Sequence, residues 1–237
     1  MLPFLSLVSV AELNRNPTVK DEIAHSRQSS VSGLMFTYPV HQAADILFCK
    51  ANLVPVGQDQ LPHLELTRTI ARRFNDRYGH GRTVFGEPEA LLSSTPLLLG
   101  TDGTKMSKSR NNAIALAADA DETARLIKGA KTDAERHITY DPASRPEGSS
   151  LLLLTALCQD RAPQSIADDI GSAGAAALKK MAAEAVNEHL APIRARRSEL
   201  AADRAYLRQI LRHGDEQARA VADATLAEVR ASMDSID

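Results

Sequence analysis

The sequence predicts an α/β fold, with a parallel-sheet domain over residues 1–134 followed by an all-α domain over 135–237. Two observations carry this. Between residues 38 and 78 an apolar helix, a short apolar strand, a glycine-containing turn and an amphipathic helix follow one another, the order of a parallel α/β unit. After Ala134 strand signals vanish, and Ala, Leu, Arg and Glu dominate.

In order, residues 8–25 carry a helical pattern interrupted at Pro17, and the polar, Ser-rich stretch 26–32 reads as a loop. Tyr38-Pro39 then opens an apolar helix through Ala43, Ala44, Ile46, Leu47 and Phe48, ending near Ala51, with Pro39 in the first turn, where no N–H partner is needed. Leu53-Val54-Pro55-Val56 reads as a short buried strand, and Gly57-Gln58-Asp59-Gln60 as the turn after it. Residues 64–78 form an amphipathic helix, with Leu64, Ile70, Ala71 and Phe74 opposite Arg68, Arg72, Arg73 and Arg77. Residues 79–113 are rich in Gly, Pro, Ser and Thr around one apolar run, Leu97-Leu98-Leu99. Helices are expected at 149–159, 165–170, 175–200, 204–211 and 216–233, with Pro192 kinking the longest.

With 43% hydrophobic residues in 237, a buried core is expected, and at 4% aromatics it must be built mainly from Leu, Val, Ile and Ala. A net charge of -2 excludes nucleic-acid binding by net charge alone and leaves a local basic surface open. Cys49 and Cys158 make no metal pattern and are expected as buried, reduced thiols, which suits the cytoplasm. No segment has the length of a membrane span. The apolar stretch Met1 to Val10 lacks the charged lead and cleavage site of a signal peptide and reads as the interior of a domain whose start is missing.

Four constellations carry chemistry. Lys105-Met106-Ser107-Lys108-Ser109 follows the turn-forming run Gly100-Thr101-Asp102-Gly103-Thr104. Its two ammonium groups suit the charge that develops on a leaving pyrophosphate, and its hydroxyls and backbone N–H groups suit the phosphate oxygens. Gly57 to Asp59 sits at the carboxyl end of a strand, the usual ligand position in open α/β sheets; Asp59 could bind ribose hydroxyls or simply cap a helix. Asp45 is a carboxylate in an apolar helix, costly unless paired: it suits a polar atom on an otherwise apolar ligand, or else a helix ion pair or exposed face. Tyr38 and Gln42 precede it on roughly the same side. Arg194, Arg196, Arg197, Arg204, Arg208, Arg212 and Arg219 could contact RNA phosphates, although Glu199, Asp203, Asp215 and Glu216 are interleaved and a solvated helical surface reads equally well.

Together these residues carry a resemblance. The string Lys105 to Ser109 is identical to the signature loop of class I aminoacyl-tRNA synthetases. Tyr38-Pro39, Ala43-Ala44-Asp45-Ile46-Leu47, Val54-Pro55-Val56-Gly57, Asp59-Gln60 and His63-Leu64-Glu65-Leu66-Thr67-Arg68 resemble the tryptophanyl-tRNA synthetase family in particular. Thr132-Asp133 and Tyr140-Asp141 extend the likeness to the entry of the helical domain, and His41-Gln42 resembles a divergent bacterial form. The resemblance implies a partial Rossmann-like catalytic domain, an anticodon-binding helical domain, ATP with Mg²⁺, tryptophan and tRNA(Trp) as substrates, and a cytoplasmic homodimer. Residue by residue it implies that Asp45 receives the indole N–H, that Tyr38 and Gln60 hold the ammonium, and that Gln42, Val54 and Val56 line the side-chain pocket. It further implies that Gly57, Gln58 and Asp59 meet the ATP ribose, with Gln58 in place of a common acidic residue, and that Lys105, Met106, Ser107, Lys108 and Ser109 meet the phosphates, Lys105 and Lys108 catalytically. No resident metal is implied.

The family's first signature, His-x-Gly-His, does not occur in the sequence; Gly79-His80-Gly81 stands in the wrong place. The expectation is a synthetase lacking the N-terminal part of its catalytic domain. Two outcomes stay open: a tryptophan–tRNA ligase, or a non-catalytic paralog that binds tRNA, tryptophan or a protein partner.

Overall fold

The computed structural model describes residues 1–25, 31–93, 95, 97–106 and 110–235, without the side chains of 21, 22, 24 and 25. Most of the loop expected at 26–32, and Ser107, Lys108 and Ser109, lie outside the described residues. The chain divides into two units, Met1–Pro96 with Gln209–Asp237, and Leu97–Arg208. These divisions fall at Leu97 and Gln209. One reason is that the segment after Leu97 binds into the helical unit, where the Leu99 N–H donates to Ser150 Oγ at 3.0 Å.

In the first unit, α1 (Leu2–Leu5), α2 (Val10–Arg15) and α3 (Pro17–His25) precede α4 (Gly33–Phe48). Strand β1 (Leu53–Pro55) leads into α5 (Leu61–Tyr78), which returns to β2 (Glu89–Leu91). The strands pair in parallel, Leu53 with Glu89, Val54 with Ala90 and Pro55 with Leu91, so 53–91 is one β–α–β crossover. The apolar stripe of α5 packs on α4, with Ile70, Ala71 and Phe74 against Val40, Ala43 and Leu47. Three of the five phenylalanines, Phe4, Phe74 and Phe85, meet edge to face at 5.0–6.0 Å, so the scarce aromatics are concentrated in this core. Two arginines of α5 serve the backbone as well as solvent: Arg68 Nε donates to the Pro88 carbonyl at 2.7 Å, and Arg73 to the Leu7 carbonyl at 2.7 Å.

The second unit holds α6 (Ala120–Lys128), α7 (Pro146–Gln159), α8 (Pro163–Ile170), α9 (Ala175–Ala202) and the start of α10 (Arg204–Ser232). Its entry is fixed by charge. Arg145 grips Asp133 side-on through Nε and Nη2, at 2.9 and 2.7 Å, and gives an Nη1 N–H to the His137 carbonyl at 2.7 Å. Arg145 is what chiefly holds the Asp133 carboxyl below its ordinary range. Asp141 caps the next turn by accepting the Ala143 and Ser144 N–H groups.

Several expectations need correction. The helix at Pro39 begins earlier, at Gly33, because Ser32 caps it by accepting the Met35 N–H at 3.1 Å; Pro39 is therefore interior. The strand is not buried: Leu53 is 51% exposed, since among the described residues the sheet has two strands. The helices expected at 204–211 and 216–233 are one, α10, and Gly214 does not break it. Cys49 is exposed rather than buried. Helix α9, Ala175–Ala202, carries Pro192 inside it, as the expected span 175–200 implied. Helix α6, capped by Asp119, and strand β2 were not foreseen.

Glu12 joins two structural duties. It closes the capping box of α2, accepting the Ser9 N–H at 2.8 Å, and pairs with Arg73 of α5. The Arg73 pairing first, then Ser9, lowers its carboxyl from 4.5 to about 2. A depressed carboxyl stabilises fully above its unfolded value and loses that contribution as pH falls toward the folded one. Glu12→Gln is expected to cost about 1–2 kcal/mol at neutral pH. In urea melts at graded pH, the gap between parent and variant should close between 4.5 and about 2.

Candidate functional site

In the first unit the candidate residues form two polar chains beside β1. Tyr38 and Gln42 stand one turn apart on α4. Tyr38 Oη lies 3.2 Å from Nε2 of His63, whose Nδ1 faces the Asn16 side-chain amide at 3.4 Å. Gln42 Nε2 donates to Gln60 Oε1 at 3.1 Å, and Gln60 Nε2 donates to Asp59 Oδ2 at 2.9 Å. A carboxylate only accepts, so Asp59 settles which way the Gln60 amide faces. Asp59 is not a helix cap: it lies inside the 3-10 turn Gln58–Gln60, and Gln60 is the residue at the α5 cap position. The Asp59 backbone carbonyl accepts Thr18 Oγ1 at 3.2 Å, tying the turn to α3.

Of the two settings expected for Asp45, the structure shows the helix pair on an exposed face. Its side chain is 65% exposed and pairs with His41, one turn earlier, at 3.8 Å. The apolar neighbours Ile46 and Leu47 point into the core while Asp45 lies on the helix's open face. Val54 and Val56 are half-buried, and Gly57 is extended at φ -78°.

In the second unit the base of the lysine loop is a hydrogen-bonded knot. Leu99 and Lys105 pair as an antiparallel bridge, and the Gly100 N–H donates to the Thr104 carbonyl at 2.8 Å. Gly103 turns the chain at φ +80°, and a Cβ there would sit 2.6 Å from Cγ of Glu147 on α7. Asp102 Oδ1 accepts from the Thr104 N–H at 2.9 Å and from Asn112 Nδ2 at 2.8 Å. These donors, Asn112 foremost, hold the Asp102 carboxyl below its ordinary range. Asn112 also donates to the Lys105 carbonyl at 3.1 Å, so its 3%-exposed side chain joins the turn to the first lysine. Lys105 and Met106 are exposed at the end of this knot. Beneath Met106 lies an apolar cavity of about 340 Å³, lined in part by Leu99, Ile114, Leu151 and Leu190.

A family model described as tRNA synthetases class I (W and Y) matches residues 1–191. The chain belongs to that family. Among its relatives is a tryptophan–tRNA ligase of Clostridium longisporum, 40% identical, the match covering 97% of this chain and 69% of that protein. Among solved structures, a tryptophanyl-tRNA synthetase from Mycoplasma pneumoniae superposes with a TM-score of 0.82 at 25% identity, over 98% of this chain and 71% of that one. One from Campylobacter jejuni, complexed with ADP and tryptophan, gives 0.73 at 29% identity, over 98% and 72%. The chain thus spans about seven-tenths of the proteins it resembles.

Within this synthetase fold the structure joins Gln42, Gln60 and Asp59 in one polar chain, links Tyr38 to His63 in another, and leaves Asp45 on the open side of α4. Asn16, His63, Asp102 and Asn112 were not singled out as site residues. The only signal for them was the turn chemistry of Asn16-Pro17 and Asp102-Gly103. Of the arginine row, Arg194 turns inward, donating to Asn187 Oδ1 and Thr123 Oγ1 at 2.8 Å each, and Arg196 pairs with Glu199 at 2.6 Å. Among the described residues no group of three or more His, Cys, Asp or Glu is placed to hold a metal ion, and no helix is long and apolar enough to cross a membrane.

Replacing Asn112 by Ala removes a buried side chain that donates to both the exposed Asp102 carboxylate and the Lys105 carbonyl. It is expected to lower unfolding stability by about 0.5–1.5 kcal/mol in urea melts. Amide exchange should rise at Thr104 and Lys105 before it rises in α7.

Proposed function

We propose that this chain is a tryptophan–tRNA ligase core that activates tryptophan with ATP and transfers it to tRNA(Trp). The observation that carries the reading is the 40% identity to a tryptophan–tRNA ligase across 97% of this chain. The tryptophan carboxylate attacks the α-phosphate of ATP, the bond to the β-phosphate oxygen breaks, and pyrophosphate leaves. The mixed anhydride then passes its acyl group to a terminal ribose hydroxyl of the tRNA and releases AMP.

On this reading Tyr38 and Gln60 present oxygens to the ammonium, Asp45 accepts the indole N–H, and Gln42, Val54 and Val56 flank the ring. Gly57, Gln58 and Asp59 meet the ribose. Lys105 and Lys108 stabilise the leaving pyrophosphate, with Met106, Ser107 and Ser109 completing the loop. Catalysis is then positioning and charge stabilisation rather than covalent chemistry by the protein. Mg²⁺ would travel on the nucleotide phosphates and supply charge neutralisation there. The functional division proposed is catalytic over 1–134 and anticodon-binding over 135–237, in a cytoplasmic homodimer.

A second reading, a non-catalytic paralog that binds tRNA, tryptophan or a partner, is favoured by the exposure of Asp45. A carboxylate in water discriminates weakly between a ligand with an N–H and one without, because strong rejection needs a buried, unpaired group.

ATP–pyrophosphate exchange decides between them. The ligase reading expects exchange that depends on tryptophan and is absent with tyrosine or phenylalanine, and a loss of about 10²-fold in Lys105→Ala. Calorimetric binding of tryptophan or tRNA without exchange would transfer the assignment to the paralog. Neither exchange nor binding would remove both.

A further inference from the structure

His63 of α5 is 1% exposed, and the proposed mechanism gives it no task. Its two ring nitrogens nonetheless differ in a way the neighbours dictate. Asn16 is the first residue of the α3 cap: its carbonyl accepts the Lys20 N–H at 3.1 Å. Its side-chain oxygen accepts the N–H groups of Thr18 at 3.0 Å and Val19 at 3.4 Å. The oxygen is therefore committed to the helix, and the group 3.4 Å from His63 Nδ1 is the NH₂. Turning the amide over would set its NH₂ against two backbone N–H groups. A donor at Nδ1 makes that nitrogen an acceptor, and a neutral imidazole then carries its proton on Nε2. Nε2–H donates to Tyr38 Oη at 3.2 Å, while the two rings meet edge to face at 5.2 Å.

The geometry points to His63 as a positioning residue for amino-acid binding: Asn16 holds it in the Nε2–H form, and that N–H pins the hydroxyl of Tyr38. This rests on the reading that Tyr38 holds the tryptophan ammonium. The hydroxyl oxygen then has one lone pair engaged by His63, which fixes its direction. A tyrosine so held does not spend binding energy on being ordered when the ligand arrives. The second polar chain has the same design, since Asp59 sets the direction of the Gln60 amide.

The tautomer is read directly from long-range ¹H–¹⁵N spectra of the full chain with labelled histidine, the His63 signals being identified by their loss in His63→Gln. A pyridine-type Nδ1 with a pyrrole-type Nε2 is the expected result; the reverse tautomer, or a ring protonated on both nitrogens at neutral pH, overturns the assignment. This arm does not require that tryptophan binds. The second arm is tryptophan calorimetry. A glutamine amide can stand where Nε2–H stands, whereas an asparagine amide cannot, so His63→Gln should bind within about threefold of the parent and His63→Asn about tenfold more weakly. In a Tyr38→Phe background, His63→Asn should add no further loss. Equal losses in the two histidine variants, or full additivity with Tyr38→Phe, remove the positioning role even if the tautomer is as assigned. A parent chain that binds no tryptophan sinks the functional reading and leaves the tautomer to decide the assignment of His63.

Discussion

A buried imidazole has to satisfy both of its nitrogens inside the protein, and at His63 that requirement ties three helices together. Nδ1 is met by the residue that starts α3, Nε2 by a tyrosine of α4, and the backbone carbonyl of His63 itself accepts Thr67 Oγ1 one turn along α5 at 2.9 Å. The apolar contacts between α4 and α5 are non-directional and would tolerate a small slide of one helix along the other. The polar chain through His63 is directional and favours one register. It holds Tyr38 beside α5, while the bond from Gln42 to Gln60 holds α4 over the turn after β1.

Carboxylates do comparable work elsewhere. An ionised carboxylate accepts and never donates, so whatever faces it must turn a donor toward it. Asp59 orients an amide, Asp102 gathers a backbone N–H and an asparagine, Asp133 receives Nε and Nη2 of Arg145, and Glu12 serves a helix cap and an arginine together. Each fixes a turn or an entry point where apolar packing is thin. The chain has few aromatics to anchor such places, and those in the core of the first unit sit on the side served by Phe4, Phe74 and Phe85.

What the sequence revealed depended on the range of the interaction involved. Periodic apolar stripes are local, so α5 and the helices from α7 to α9 were legible within a few residues of their ends. The lysine loop was legible because its string is specific. Properties set by distant partners were not. The ladder partner of β1, Glu89 to Leu91, lacks an apolar alternation of its own, and the exposure of β1 follows from the number of strands beside it. Pro39 looked like a helix start because proline favours that position, yet Ser32 supplied a cap earlier. The expected helices 204–211 and 216–233 run together, since a helix tolerates a glycine such as Gly214 at modest cost when the residues around it are good formers. Asp45 was read through the apolar letters flanking it in sequence, whereas helical geometry turns those neighbours to the opposite face. Asn16 and Asn112 look like ordinary turn residues until the partners brought by the fold are known.

Gly103 shows how loop and helix share space. The volume a side chain would take at this turn is already filled by the stem of Glu147, whose carboxylate pairs with Lys131 at 2.8 Å. The turn that precedes Lys105 and the first turn of α7 therefore have no slack between them. A side chain at position 103 would have to displace that ion-paired stem, so a helix residue remote in sequence closes this turn to any residue larger than glycine.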